Sequence, residues 1–334
     1  MGRKEPINII YASDNNFARI MNISIFSLLV NSNNEIIKIW VIESNISEVN
    51  KKDILNTVQK FPNAEIVFKS VSENILPEKI NLDRGSMSAY NRMLIGSILP
   101  NNISKVLYLD SDILILGNIN ELYQCDLKEN IIGAVSDVFN STYKKNLGIP
   151  INMPMFNNGV MLIDLEKWRK RDIENKLFEK IKYFKGNPLQ GDLGLLNSVL
   201  YDSYQELEPR YNVMTSFFDF TYEELLTFKK PGKYYTKQEI ENAKLNMLIR
   251  HFTTSFPSER PWVRSSVVES KEFWDKYEME LFNNQVKFNS NKSLIEKLLI
   301  KLMHSRLRKV CLVFLGFVQL NLRPIYIKIK NNLS

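Results

Sequence analysis

Three features of the sequence predict an α/β fold with a mostly parallel central sheet. Short Ile/Val/aromatic runs recur along the first half, segments of helical spacing separate them, and polar clusters close two of the runs. The runs INIIYA (7–12), IIKIWVI (36–42), AEIVF (64–68) and KVLYLD (105–110) are bounded by polar turns and read as buried strands. FARIMNISIFSLLV (17–30) and SEVNKKDILNTVQKF (47–61) have helical spacing, with Ser47 placed to cap the second. Strands that alternate with helices form βαβ units, which require parallel pairing. A further apolar segment, GVMLIDL (159–165), is led by Phe156-Asn157-Asn158 and followed by a helix rich in Lys, Glu and Arg.

With 334 residues the chain has room for one large domain or a domain with an appendage, and charge favours the second. Between 291 and 334 nine Lys/Arg face one acid, Glu296; this +8 exceeds the net +7, leaving −1 on the preceding residues. A balanced body offers no field for a polyanion, so nucleic acid is not an expected partner. We divide the chain into an α/β domain at 1–285 and a basic tail at 286–334. In the tail, SLIEKLLIKLMHSRLRKV (293–310) sets Leu and Ile at helical spacing between basic residues, and VCLVFLGFVQL (310–320) adds an apolar run. That run falls short of the ~20 residues that span a bilayer. It suits a helix lying in an anionic membrane interface through residues 291–330, at about 1 kcal/mol per basic residue. The alternative is a terminal helix packed on the body with a solvated basic face. Cys125 and Cys311 are too few for a disulfide framework, and the start MGRKEPINIIYAS lacks a signal-peptide core. The expected location is cytoplasmic, peripheral on the inner face of the cell membrane.

Sheets of this kind bind ligands beyond the carboxyl ends of their strands. Two clusters fall there: Ser13-Asp14-Asn15-Asn16 after the first strand and Asp110-Ser111-Asp112 after the fourth. No GxGxxG or P-loop is present, which removes the main support for dinucleotide and Walker-type readings. Two acids at the end of a buried strand need compensation, because an unpaired buried carboxylate costs several kcal/mol. A divalent cation would compensate both. His251 follows another short apolar run; alone it reads as a hydrogen-bonded structural residue. Joined to the two Asp residues, it makes an oxygen-plus-imidazole set that suits Mn²⁺ better than Ca²⁺, with Mg²⁺ also admissible. Arg260-Pro261-Trp262 could set a guanidinium on a diphosphate oxygen, or form a surface loop anchored by Trp262.

In order, the elements YASDNNFA (11–18), SMSAYNRM (86–93), VLYLDSDIL (106–114), FNNGVMLIDLEKWR (156–169), GDLGLLN (191–197) and HFTTSFPSERPW (251–262) resemble glycosyltransferase family 8. That group includes bacterial lipooligosaccharide α-galactosyltransferases, bacterial glucosyltransferases and glycogenin. The resemblance covers about residues 7 to 262 and implies a Rossmann-like nucleotide-diphospho-sugar transferase fold of GT-A type. It further implies that Asp14 and Asn16, with the backbone of Ala12, hold the uracil and ribose of UDP-galactose or UDP-glucose. Asp110, Asp112 and His251 match the ligands of a Mn²⁺ (or Mg²⁺) that bridges both phosphates, with Ser111 in the same cofactor-binding segment. Arg92, Asn157 and Asp192 match positions around the transferred sugar, and Asp137 lies where the acceptor approaches. Arg260 matches a basic residue, usually Lys, on the departing diphosphate. The implied reaction moves galactose or glucose, with its anomeric configuration kept, to a hydroxyl of a surface-glycan acceptor such as a lipooligosaccharide, capsule or glycoprotein.

Two departures stand out. Leu193 occupies a place where the family usually has a Gln, and the segment from His251 to Trp262 is longer by a few residues. The aromatic-rich stretches 137–155 and 209–236 read as loops on the acceptor side. Two other readings use the same residues. A haloacid-dehalogenase-like phosphatase also carries D-x-D after a strand, but wants Thr or Val where Leu114 stands and normally uses the first strand. A catalytically inactive UDP- or glycan-binding partner would keep the fold without turnover.

Overall fold

A computed structural model describes residues 5–71 and 88–322. The alternation expected for the first hundred residues is present: β1 (Ile7–Asp14), helix Ala18–Asn31, β2 (Ile37–Ser44), helix Glu48–Val58, β3 (Ala64–Ser70) and β4 (Lys105–Leu109) follow in order. Ser47 caps the second helix, its side chain accepting from the Asn50 amide. Six short or late strands complete the set: β5 (Ile113–Ile115), β6 (Ile132–Asp137), β7 (Met155–Asp164), β8 (Tyr204–Glu206), β9 (Val213–Met214) and β10 (Ile249–His251).

Seven of these make the main sheet in the order β3-β2-β1-β4-β7-β6-β8. β7 runs antiparallel to both β4 and β6, and the other neighbouring pairs are parallel. The sheet is mostly parallel, with one reversed strand. Both faces are buried, so residues of β1 alternate between two cores: Ile9 and Tyr11 pack with helices Ala18–Asn31 and Glu48–Val58 on one face. Ile10 packs on the other with Leu177, Ile181, Leu195 and Leu196 of helices Ile173–Tyr183 and Gly191–Leu200. Burial on both faces explains why these strands read as continuous apolar runs.

Beyond Leu109 the chain leaves this sheet. β5 pairs instead with β10, which pairs with β9, in a second sheet of three strands. Asp110-Ser111-Asp112 is the crossing between them: the Asp110 amide donates to the Gly159 carbonyl of β7 at 2.8 Å, and the Asp112 carbonyl accepts from the Phe252 amide at 2.9 Å.

The stretches 137–155 and 209–236 are more regular than the loops expected there. They contain helices Ser141–Leu147, Ser216–Asp219 and Tyr222–Lys229. The local cause is capping: Asn140 accepts from the amides of Thr142 and Tyr143, Gly148 ends that helix at φ 75°, and Thr221 forms a capping box with Glu224. The tail forms two helices, Leu294–Met303 and Arg308–Phe317. Met303, Cys311 and Leu312 are buried against Val138, Phe220, Leu225 and Phe228. Arg308 binds Glu224 through Nε at 2.6 Å and Nη2 at 2.8 Å, and Nη2 also donates to the Asp219 carbonyl at 2.7 Å. The opposite side leaves Leu294, Ile295, Leu298, Val310, Val313, Phe314 and Phe317 exposed. Among the described residues, no helix is long and apolar enough to cross a membrane. Arg323, Lys328 and Lys330 of the tail, and Ser86 and Met87 of the second motif, lie outside the described residues.

Candidate functional site

Strand alternation builds the first half of the site. Val106 and Tyr108 face the second core, so Asp110 continues on the side of Tyr108, whose hydroxyl donates to Asp110 Oδ1 at 2.8 Å. Burial pushes the Tyr108 hydroxyl well above its ordinary value, so it remains a proton donor. Arg92 stacks on the same ring, its guanidinium carbon 4.6 Å from the centroid. Its Nη2 lies 2.9 Å from Asp110 Oδ1 and its Nε 3.1 Å from Asp192 Oδ2, while Nη1 donates to the Asn158 carbonyl at 3.1 Å. Burial opposes the Arg92 charge, and Asp110, Tyr108 and Asp192 more than offset it, raising the guanidinium further. Asp192 stands in the first turn of helix Gly191–Leu200 and also accepts from Asn158 Nδ2 at 2.6 Å. One buried cation thus holds two carboxylates from distant segments.

The second half forms where β4 passes into β5. Antiparallel pairing of β10 with β5 sets His251 opposite Ile113, next to Asp112. His251 Nε2 lies 3.2 Å from Asp112 Oδ1 and 3.8 Å from Asp110 Oδ2. The ligand atoms of Asp110, Asp112 and His251 all fall within 4.8 Å of one another. Adjacent ligands of an octahedral ion with bonds of about 2.1 Å lie about 3 Å apart, so the two carboxylates and the imidazole fit a Mn²⁺- or Mg²⁺-sized ion. Arg260 makes a close ion pair with Asp112 and donates to Thr254 Oγ1 at 2.9 Å. Burial would raise the Asp112 carboxyl, but Arg260 and His251 outweigh it and hold this group well below the usual carboxylate range.

Between the halves, Asn157 links them to Asp137. Its Nδ2 donates to Asp137 Oδ2 at 3.1 Å, and its Oδ1 accepts from the Gly159 amide at 3.0 Å. A cleft of about 310 Å³ opens here, lined by Asp110, Asp112, Asp137, Asn157, His251 and Arg260 among others. Leu193, Gln190 and the tail residue Gln319 share its walls. The cleft wall thus sets the aliphatic Leu193 near the amides of Gln190 and Gln319.

Ala12, Asp14 and Asn16 form a separate polar edge at the end of β1, which runs parallel to β4 with Ile10 beside Tyr108. Asp14 Oδ1 accepts from the amides of Asn16 at 3.0 Å and Phe17 at 3.2 Å, making the tight turn into helix Ala18–Asn31. Ser111 is buried between the two Asp residues without lining the cleft.

Four contributors escaped the sequence reading. Tyr108 was legible from strand period, since it shares a face with Asp110. Asn158 was seen only as part of a polar lead-in to β7. Gly159 has no pattern of its own, yet a Cβ there would meet His251 Cε1 at 2.2 Å and Asp110 Oδ2 at 2.8 Å, so the site closes only over a glycine. Asn212, whose Oδ1 lies 2.9 Å from His251 Nδ1, is an isolated amide in a loop and gives no sequence signal.

This arrangement has relatives. Residues 8–266 match the model of glycosyl transferase family 8. General stress protein A of Bacillus subtilis is 30% identical over 269 residues, covering 78% of this chain and 89% of its own length. Glycosyltransferase GlyB of Streptococcus pneumoniae is 26% identical over 278 residues, 81% of this chain but 61% of that longer protein. Among solved structures, galactosyltransferase LgtC in complex with donor and acceptor sugar analogues superposes with a TM-score of 0.69 at 25% identity, covering 83% of this chain and 96% of that one. The matched span contains every residue of the cluster from Arg92 to Arg260. The chain adopts the GT-A type fold and is a member of glycosyltransferase family 8.

Proposed function

We propose that this protein is a metal-assisted, retaining hexosyltransferase that moves galactose or glucose from UDP-galactose or UDP-glucose to a hydroxyl of a surface-glycan or glycolipid acceptor. The observation that carries this reading is the convergence of Asp110, Asp112 and His251 beside Arg260, with Arg92 joining Asp110 to Asp192. A Mn²⁺ or Mg²⁺ ion held by Asp110, Asp112 and His251 would supply Lewis-acid stabilisation of the negative charge that develops on UDP.

The side chains divide the remaining work. Asp14, Asn16 and the backbone of Ala12 take the nucleoside at the β1 edge. Arg260 exchanges its partner Asp112 for an oxygen of the departing diphosphate, a charge-assisted contact that strengthens as the bond breaks. Arg92 holds Asp192 and Asp110 in place, and the carboxylate of Asp192 offsets positive charge on the sugar ring. Asn157 and Asp137 mark the wall along which the acceptor hydroxyl approaches. Leu193 has no nucleophilic atom, which favours attack by the acceptor on the face that UDP leaves over a covalent glycosyl intermediate. Residues 1–285 form the transferase domain. The tail, 286–334, brings it to an anionic membrane surface where lipid-linked acceptors reside, a role supported by its basic residues and exposed Leu, Val and Phe.

The test is UDP release from a panel of UDP-sugars with Mn²⁺, Mg²⁺ or EDTA, alongside calorimetry of UDP with Mn²⁺. Metal-dependent release from UDP-galactose or UDP-glucose is expected. Absence of both release and UDP binding would remove this reading.

A further inference from the structure

The cluster contains a hydrogen-bond chain whose direction can be deduced atom by atom. An imidazole does not reveal by its shape which nitrogen carries the proton, nor an amide which arm is oxygen. A main-chain N–H, however, can only donate. The Gly159 amide lies 3.0 Å from one arm of Asn157, so that arm is the carbonyl oxygen. The other arm is then NH₂, in agreement with its 3.1 Å contact to the Asp137 carboxylate. Asn212 reaches the same Asn157 oxygen at 3.0 Å, so it must present its own NH₂ there. Its oxygen therefore faces His251 Nδ1 at 2.9 Å, and that nitrogen carries the hydrogen.

From this order we propose that Asn212 is a positioning residue that holds a hydrogen on His251 Nδ1, so that Nε2 is the nitrogen left to serve a cation at the site. Nε2 is the atom 3.2 Å from Asp112 and 3.8 Å from Asp110. Asn212 is fully buried and His251 is 3% exposed, so water does not take over the amide's role. Turning the Asn212 amide over would set oxygen against the Asn157 oxygen and NH₂ against the Nδ1 hydrogen. The Nδ1 hydrogen thus traces back to one main-chain N–H, at the glycine over which the His251 ring packs. Partners of this kind on the far nitrogen of a metal-binding histidine orient the ring and select its free lone pair.

The Nδ1 hydrogen is a property of the ligand-free protein, whereas its effect on Mn²⁺ rests on the proposed function. The chain has two histidines, so His304→Gln leaves His251 as the single source of imidazole signals. Long-range ¹H–¹⁵N correlation on the full chain, labelled with ¹⁵N-histidine at pH 8, reads each nitrogen directly. Expected is a protonated Nδ1, lost in Asn212→Leu and kept in Asn212→Asp, which retains an acceptor. An unprotonated Nδ1 in the otherwise wild-type chain overturns the proposal, even if Asn212→Leu fails to fold. In electron paramagnetic resonance titrations with UDP present, Asn212→Leu should bind Mn²⁺ about 10- to 100-fold more weakly. An unchanged spectrum and affinity in a folded Asn212→Leu also overturns it. Failure of the wild type to bind Mn²⁺ and UDP would sink the transferase reading while leaving the Nδ1 hydrogen measured.

Discussion

The cleft and the tail carry opposite mismatches with their surroundings. In and beside the cleft, charges are buried: Arg92 is 7% exposed and Asp112 is 7% exposed, and each sits against a partner of opposite sign. In the tail, apolar groups are exposed: Phe314 is 60% and Leu298 59% accessible, on helices whose other side is well packed. Buried charges are tolerated only where geometry pairs them, so the cleft is specified residue by residue. Exposed apolar side chains need no exact partner, so the tail specifies a surface.

Four measurements would break or sharpen this contrast. The largest effect is expected in the cleft: Asp110→Asn/Asp112→Asn should lower metal-dependent UDP release by roughly 10³-fold or more. A loss below tenfold would show that these carboxylates are not the cation's ligands. Next, Arg92→Met leaves Asp110 and Asp192 without their shared cation and should destabilise the fold by about 3–5 kcal/mol in urea unfolding. A change under about 1 kcal/mol would mean that the triad contributes no net stability.

The tail should respond in the reverse manner. Leu298→Glu/Phe314→Glu, two exposed positions, should leave unfolding free energy within about 0.5 kcal/mol. The same pair should reduce partitioning onto anionic vesicles about tenfold or more, since each apolar side chain contributes about 1.5–3 kcal/mol when buried. Equal partitioning would detach the exposed face from any membrane role. Surface substitutions serve better here than truncation, which would uncover Val138, Leu225 and Phe228.

The smallest effect concerns docking. The hydrogen bond from Arg308 holds Glu224 below its ordinary carboxylate value, with burial opposing it in part. A carboxyl lowered in the folded state contributes stability above its unfolded value of about 4.3 and loses it as pH falls through the lower folded value. The pair is partly exposed, so the contribution is about 1 kcal/mol or less. Hydrogen exchange of helix Arg308–Phe317 should quicken modestly on acidification through this range, and Arg308→Ala should remove the dependence.

The same contrast marks what was legible beforehand. β1, β2, β4 and β7 show in the sequence because burial on both faces leaves unbroken apolar runs, while the half-buried edge strand β3 shows through its Ile, Val and Phe. Asp110 and Asp112 stand out because two acids conflict with the strand before them. The reversal of β7 was hidden, since periodicity records which side chains are buried and not which way a strand runs. Helices Ser141–Leu147 and Tyr222–Lys229 sit in aromatic-rich stretches that resemble loops in composition, although Asn140 and the Thr221/Glu224 pair offered cap signals. Asn212 and Gly159 act through neighbours distant in sequence, and no local pattern encodes such contacts. The tail's basic and apolar spacing was visible, but its docking through Arg308 and Leu312 was not.

Asp112 and Arg260 are separated by 148 positions along the chain. Closing so long a loop has an entropic cost that must be met before the contact is gained, and such distant pairs slow folding. During synthesis the strands of β1 and β2 can pair long before Arg260 leaves the ribosome, yet the carboxylate–imidazole–guanidinium cluster has no earlier version of itself. It arises only when nearly the whole α/β domain has been made. A nascent chain halted before residue 260 would own all ten strands described above and still lack the guanidinium that pairs with Asp112.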